Sequence, residues 1–176
     1  MELKELKEKG DTSRRVYITP AARRLEEFFS IETPSTKKEV MQVIGLVNQL
    51  KRWCPEFAFS TIHLRKLSSV HSRFIWTPDH EEELTQLKAT IKNCVKLSPL
   101  DMNKPIHLHL DAAKTIGMSY ILCQPRSEKE EDGKTIITCN STTFSETQTR
   151  YSPFECEALA VQWVKRSEDD YIRAAP

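Results

Sequence analysis

Two acidic side chains are placed where they could hold a metal ion, and the first of them is Asp111. Apolar and polar residues alternate over residues 105–111, which is the period of a half-buried strand. The apolar face is predicted to carry Ile106, Leu108 and Leu110. The opposite face is predicted to carry His107, His109 and, at the strand end, Asp111.

The second acid is Glu157, in a predicted helix from residue 153 to about 166. Ser152 is its N-cap, Pro153 takes the first helical position and Glu155 closes a capping box. Glu157 lies three residues after Phe154 and four and seven residues before Val161 and Val164, so the spacing predicts that it faces the core. Burying a lone carboxylate is costly unless a cation or donors compensate. We therefore expect Asp111 and Glu157 to share a divalent metal ion.

Composition places the chain among ordinary globular proteins. Its 176 residues are 39% hydrophobic and 29% charged, with a net charge of +1, so nucleic-acid binding would require local basic patches. No apolar run reaches the length of a membrane span. The five cysteines are widely spaced without a C-x-x-C pair, which favours reduced thiols and an intracellular location, cytoplasmic or nuclear.

The pattern along the chain predicts an α+β protein in which a small helical unit precedes a β-β-β-α unit. Residues 1–17 mix charges with little apolar content and are predicted to be a charged leader without stable structure. The predicted units are helical over 18–97 and β-β-β-α over 104–166, followed by a tail over 167–176. The predicted helices are a short one before Pro34 and longer ones near 36–52, 57–68 and 78–95.

The predicted strands are separated by recognisable turns. Gly117 opens a second strand over 118–124, and a charged loop over 125–134, ending in an Asp-Gly turn, leads to a third strand over about 135–143.

Seven short motifs in this order resemble the region after the polymerase palm in polyproteins of gypsy-class LTR retrotransposons. There, thumb and connection helices lead into a ribonuclease H-like domain. The motifs are Pro34-x-x-x-Lys38-Glu39-Val40-x-x-x-Ile44-Gly45-Leu46, Cys54-Pro55-Glu56-Phe57, Phe74-x-Trp76, Leu87-Lys88, Leu108-x-Leu110-Asp111-Ala112, Gly117-x-x-x-Ile121-Leu122-x-Gln124 and Tyr151-Ser152-x-x-Glu155-x-Glu157-x-Leu159-Ala160.

The resemblance implies roles for both acids. Asp111 matches the first catalytic carboxylate of the family and Glu157 the second. Such enzymes cleave the RNA strand of RNA–DNA hybrids with two magnesium or manganese ions, for which hard oxygen ligands are suited.

This chain departs from the family pattern in two respects. The third and fourth catalytic carboxylates and the polymerase palm are absent from it, and Asp169 and Asp170 lie too close to Glu157 in sequence to replace them. We therefore expect the chain alone to be inactive or nearly so. We also expect the strand bearing Asp111 to be a sheet edge, through which the chain could associate with itself.

Other residues allow alternative interpretations. His107, His109 and Asp111 could mimic a two-histidine, one-carboxylate iron or zinc site, although a polar strand face is the simpler interpretation. The aromatic residues could stack on bases or, as we favour, anchor a core: Trp53, Phe57 and Trp76. Basic residues of the helical unit could contact phosphates or simply be solvated: Lys37, Lys38, Lys51, Arg52, Arg65, Lys66 and Arg73.

The sequence thus supports two functional hypotheses. The first is a segment of a retroelement reverse transcriptase/ribonuclease H polyprotein, in which Asp111 and Glu157 hold metal for hydrolysis of a hybrid's RNA strand. The second is a non-catalytic, domesticated or relic module that binds nucleic acid or protein.

Overall fold

The computed structural model describes residues 2–6, 15–55, 57–126 and 133–174, and its elements fall into a helical half and a sheet half. The elements are β1 (Glu2–Leu6), β2 (Arg15–Thr19), α1 (Ala22–Phe29), α2 (Lys37–Leu50), α3 (Ile62–Ser68), α4 (Pro78–Lys92), β3 (His107–Ala113), β4 (Gly117–Pro125), β5 (Lys134–Thr143), α5 (Pro153–Ser167) and α6 (Asp169–Arg173). The α+β class is as predicted.

The helical half packs around one apolar core. Helix α2 begins at the predicted cap, where the Thr36 side chain accepts a hydrogen bond from the Glu39 amide. Its buried stripe recurs every three or four residues and meets the stripe of α4 in the same cluster. The two stripes are Val40, Val43, Val47 and Leu50 on α2, and Leu84, Leu87 and Ile91 on α4.

One predicted helix is shorter than expected. The helix predicted over 57–68 is a 3₁₀ turn, Phe59–Thr61, followed by α3. The Thr61 hydroxyl lies 3.3 Å from the carbonyl oxygens of both Phe57 and Ala58, so it competes with the backbone bonds that would extend α3 towards its N-terminus.

The N-terminal segment differs from the prediction of an unstructured leader over 1–17. Strands β1 and β2 pair antiparallel, so residues 2–6 and 15–17 have regular structure, whereas residues 1 and 7–14 lie outside the described chain. Ile18 of β2 exchanges backbone hydrogen bonds with Leu97, and its carbonyl also accepts one from Trp53 Nε1 at 3.0 Å. Backbone pairing leaves charged side chains free to face water, which explains why the charge pattern misled the prediction.

The sheet has the strand order β3-β4-β5, antiparallel throughout. Leu97 forms an isolated parallel bridge to Ile136 of β5 as well as an antiparallel one to Ile18, so the outer edge of β5 is partly covered. At the other side β3 pairs only with β4 among the described residues, which makes it the predicted edge strand.

The observed strands differ from the prediction mainly at β3. Strand β3 starts two residues later than predicted and continues past Asp111, because its pairing with β4 runs on to Ala113 opposite Gly117. Asp111 therefore lies inside the strand, opposite Ser119, instead of at its end. Residues 127–132 of the predicted charged loop lie outside the described residues.

Two glycines provide a matched test of this packing. A Cβ on Gly117 would lie 2.2 Å from the Thr142 carbonyl oxygen and 2.9 Å from Phe59 Cε1, whereas one on Gly45 in α2 would meet nothing within 4 Å. We expect Gly117→Ala to lower the free energy of unfolding by about 3 kcal/mol, through overpacking. Gly45→Ala should raise it by about 1 kcal/mol, through helix propensity. Urea denaturation measures both, and equal effects would contradict the close approach at Gly117.

Two buried thiols should make the free energy of unfolding depend on pH in the alkaline range. Desolvation raises the pKa of Cys54 and Cys139 from 9.0 to about 12. The unfolded chain therefore releases these protons first, so their contribution to stability is complete below pH 9 and is lost as pH rises towards 12. Each thiol should add a slope of about 1.4 kcal/mol per pH unit in that window. Between pH 9 and pH 12 the free energy of unfolding of the Cys54→Ala/Cys139→Ala variant should fall less steeply with pH than that of the wild type. Parallel pH dependences would contradict this.

Candidate functional site

Helix α5 carries the second predicted carboxylate and begins as the sequence indicates. The Ser152 amide donates a hydrogen bond to the Glu155 carboxylate at 2.8 Å, and the Ser152 hydroxyl accepts one from the Glu155 amide at 3.3 Å. The bonds from the amide and the hydroxyl of Ser152 lower the pKa of Glu155. Glu155 has the structural role that was predicted for it.

The prediction that Glu157 faces the core is wrong. The side chains that α5 buries against the sheet are Cys156, Ala160 and Val164, whereas Glu157 is exposed. The prediction relied on three apolar residues, of which Val164 is buried, but Phe154 is 82% exposed and Val161 54% exposed. Successive residues of a helix lie about 100° apart, so Glu157 lies at the flank of the stripe that its neighbour Cys156 begins.

Small residues explain why this stripe was overlooked. Met118 of β4 belongs to the same buried cluster as Cys156 and Ala160, and Leu110 and Ala112 of β3 pack against it. The Tyr120 and Trp163 rings meet edge to face, with centroids 5.1 Å apart. Short side chains at the centre of the stripe suit a close approach of helix and sheet, while the aromatic pair fills the space beside them.

Asp111 lies on the other face of the sheet. Because side chains alternate along a strand, Asp111 shares a face with its register partners Ser119 and, one strand further, Ser141. The Ser141 hydroxyl accepts a hydrogen bond of 2.9 Å from the Ala58 amide, so the helical half covers this face. Asp111 itself is exposed on the edge strand β3.

Asp111 thus lies on the sheet face opposite to the one on which α5 packs, and Glu157 lies on an exposed side of α5. Throughout the described ranges no three side chains of His, Cys, Asp or Glu are placed to hold one metal ion. The two-histidine, one-carboxylate alternative fails for the same reason, and His109 Nε2 instead lies 3.0 Å from Lys134 Nζ. The two carboxylates have the right chemistry for magnesium or manganese, but the described residues do not form a two-ion site by themselves.

The aromatic candidates and two of the seven basic ones have structural roles. Trp53 and Phe57 are buried in the core, as we favoured, and Trp76 packs against it. Lys37 Nζ donates to the carbonyls of Ser69, Val70 and Ser72, so it fixes the loop after α3.

Arg65 also has a structural role among the basic candidates. It donates to Thr61 Oγ1 and Asn48 Oδ1 and lies over the Phe57 ring. These contacts explain Lys37 and Arg65 without a nucleic-acid ligand.

Comparison with known proteins identifies the chain. The family described as "RNase H-like domain found in reverse transcriptase" matches residues 76–176. This chain belongs to that family. The matched residues of this RNase H-like chain include the three-stranded sheet and α5, and they extend back through α4 of the helical half.

The relatives of the RNase H-like chain are much longer proteins. The Tf2-3 and Tf2-4 transposon polyproteins of Schizosaccharomyces pombe are each 27% identical to it over 145 residues, which is 82% of this chain and 10% of theirs. The chain thus spans about a tenth of the length of these relatives.

Solved structures share its fold. The foamy viral protease-reverse transcriptase in complex with an RNA/DNA hybrid aligns with a TM-score of 0.73 at 20% identity, covering 85% of this chain and 20% of that one. The complex of the same enzyme with double-stranded DNA gives 0.73 over 86% of this chain and 31% of that one. None of the described helices is long and apolar enough to cross a membrane.

Among the described residues of the RNase H-like chain, the buried carboxylate is Glu83, which sequence reasoning missed. Its side chain is 7% exposed and accepts hydrogen bonds from the backbone amides of His63 at 2.9 Å and Leu64 at 2.7 Å. These amides open α3 and have no partner within that helix. The only sequence signal was an acid between the apolar residues of α4.

Replacing Glu83 tests this cap. We expect Glu83→Ala to lower the free energy of unfolding by about 3 kcal/mol, because two buried amides lose their acceptor. The neighbouring Glu82→Ala is the control, since Glu82 is exposed and should change stability by less than about 0.5 kcal/mol. Thermal unfolding distinguishes the variants, and similar melting temperatures would mean that Glu83 is not a cap.

Proposed function

We propose that this chain is a segment of a gypsy-class retroelement polyprotein, comprising the thumb or connection region and the first half of the ribonuclease H domain. In the intact polyprotein this domain would hydrolyse the RNA strand of RNA–DNA hybrids. The observation that carries the proposal is the joint match of both halves: the foamy viral fold covers 85% of this chain, helical half and sheet included. The seven ordered motifs and the Tf2 relatives support the retroelement class.

Metal binding is the part of this proposal that depends on individual residues. Asp111 and Glu157 would each supply carboxylate oxygens to magnesium or manganese, whose chemistry is to activate water and stabilise the leaving oxygen. Both side chains are exposed and therefore accessible to an ion. Further ligands would have to come from outside the described residues, so we expect no cleavage by this chain alone.

The partner in the intact protein would be an RNA–DNA hybrid, as in the foamy viral complex. We also propose an intracellular location, cytoplasmic or nuclear, because Cys54, Cys123, Cys139 and Cys156 are buried free thiols.

A second candidate function is a non-catalytic module that binds nucleic acid or protein. The observation that favours it is the placement of the two acids, since Asp111 lies on the sheet face opposite to the one that carries α5. Such a module would bind a hybrid through phosphate contacts, and its affinity would fall with salt concentration. Asp111→Asn and Glu157→Gln would leave that affinity unchanged.

Manganese titration followed by NMR tests the metal ligands. We expect paramagnetic broadening to appear first at β3 around Asp111 and at the first turns of α5. Asp111→Asn or Glu157→Gln should weaken binding about tenfold or more, because each removes an ion ligand. Asp79→Asn is the matched control, an exposed acid in the first turn of α4.

Two outcomes would count against the proposal. Broadening that is as strong around Asp79 as around Asp111 would show that the ions are attracted by surface charge alone. Cleavage of an RNA–DNA hybrid by the purified chain, abolished in Asp111→Asn, would show that the segment is complete for catalysis, contrary to our expectation.

A further inference from the structure

Two cysteines that are far apart in sequence meet where helices α2 and α4 end. Cys54 follows the short 3₁₀ turn that extends α2, and Cys94 follows α4. Beside them, the Val95 amide donates a hydrogen bond of 2.9 Å to the Trp53 carbonyl oxygen. Cys54 is thus the residue after the acceptor, and Cys94 is the residue before the donor. Both thiols are free.

This hydrogen bond fixes the spacing of the two cysteine backbones. In a trans peptide the Cα atom of Cys54 lies on the same side as the Trp53 carbonyl oxygen, and that of Cys94 on the same side as the Val95 amide hydrogen. Standard bond lengths then place the two Cα atoms about 4 to 6.5 Å apart, whatever the rotation around the hydrogen bond. A disulfide requires about 4.4 to 6.8 Å. The backbone therefore already has the spacing of a cross-link.

Both side chains point into the same apolar core. Cys54 is buried in the cluster that α2 and α4 form, and Cys94 packs against that cluster while remaining half-buried. Burial and, after it, the charge of a Cys94 thiolate raise the pKa of Cys54, so the two sulfur atoms are close enough to interact electrostatically. The sulfur atoms are therefore on the same side of the paired backbones, as a disulfide requires.

We propose that Cys54 and Cys94 form a disulfide that joins the ends of α2 and α4 when the chain is exposed to hydrogen peroxide. Peroxide transfers one oxygen to the Cys94 thiolate, which gives a sulfenic acid and hydroxide. The Cys54 thiolate then displaces a second hydroxide from that sulfur. The two protons lost by the thiols convert both hydroxides to water, so two thiols and one peroxide yield one disulfide and two waters.

The cross-link is conditional and stabilising. Desolvation raises the pKa of Cys94, so little thiolate is present at neutral pH and the first step is slow. In a reducing compartment the thiols therefore stay free until an oxidant accumulates. Once formed, the disulfide closes the segment that contains α3 and α4, which restricts the unfolded chain and stabilises the folded one.

Cys139 of β5 is the competing partner for Cys54. Its Sγ donates a hydrogen bond of 3.1 Å to the Arg52 carbonyl oxygen, and its pKa is raised by burial and then by the Cys54 charge. The hydrogen bond directs the Cys139 sulfur towards Arg52, two residues before Cys54. The paired backbones favour Cys94 instead, and a peptide map distinguishes the two pairings.

Peptide mapping of the full chain tests the pairing independently of the proposed function. The chain is treated with hydrogen peroxide, its remaining thiols are alkylated, and the monomer from a non-reducing gel is digested with trypsin. We expect peptide 53–65 to be linked to peptide 93–96, and dithiothreitol to separate them. Oxidation should also raise the melting temperature by about 8 °C, and reduction should reverse the rise.

Two alanine variants are matched, and each is compared with its own reduced form. Cys94→Ala should abolish both the cross-link and the rise in melting temperature. Cys139→Ala removes only the competing partner and should keep both. A link from Cys54 to Cys139 would overturn the proposal, as would oxidation of Cys94 to a sulfinic acid without any link. A rise in melting temperature that persists in Cys94→Ala would also contradict it.

Discussion

The structure depends on the pleat of one small antiparallel sheet. Alternation along β3 and β4 sends Leu110 and Tyr120 towards α5 and leaves Asp111 and Ser119 on the opposite face. Helix α5 and the helical half therefore pack on opposite faces of the same three-stranded sheet. Because the side-chain period is two, a one-residue slip would exchange the two faces and leave both layers without their apolar partners.

The helical half and the sheet are joined by backbone as well as by side chains. The Ile18 carbonyl accepts hydrogen bonds from Trp53 Nε1 and from the Leu97 amide, and Leu97 in turn bridges to Ile136 of β5. These bonds connect β2, the end of the helical core and the sheet. One side of the sheet is thus fixed to the rest of the chain, while β3 at the other side pairs only with β4 in the part of the chain that the structure describes.

The sequence predicted the elements far better than their contacts. Caps, turns and apolar periods depend on neighbouring residues, so the starts of α2 and α5 followed directly from Thr36 and Ser152. The buried face of α5 was misjudged because it is formed by small residues, and large size was taken as the sign of burial at Phe154. Glu157 was consequently assigned to the core, whereas the acid that is buried among the described residues is Glu83, whose partners lie about 20 residues away in sequence. Burial of a polar group depends on such distant partners, which a local pattern does not contain.

Methyl and amide NOEs test the two-faced sheet most directly. We predict cross-peaks between Leu110 methyls and the Ala160 methyl on one face, and between the Ala58 amide and Ser141 protons on the other. Asp111 should show none to Cys156 or Ala160. NOEs from Asp111 or Ser119 to these α5 residues, with those of Leu110 missing, would show that the strands are paired one residue out of register and would contradict the account.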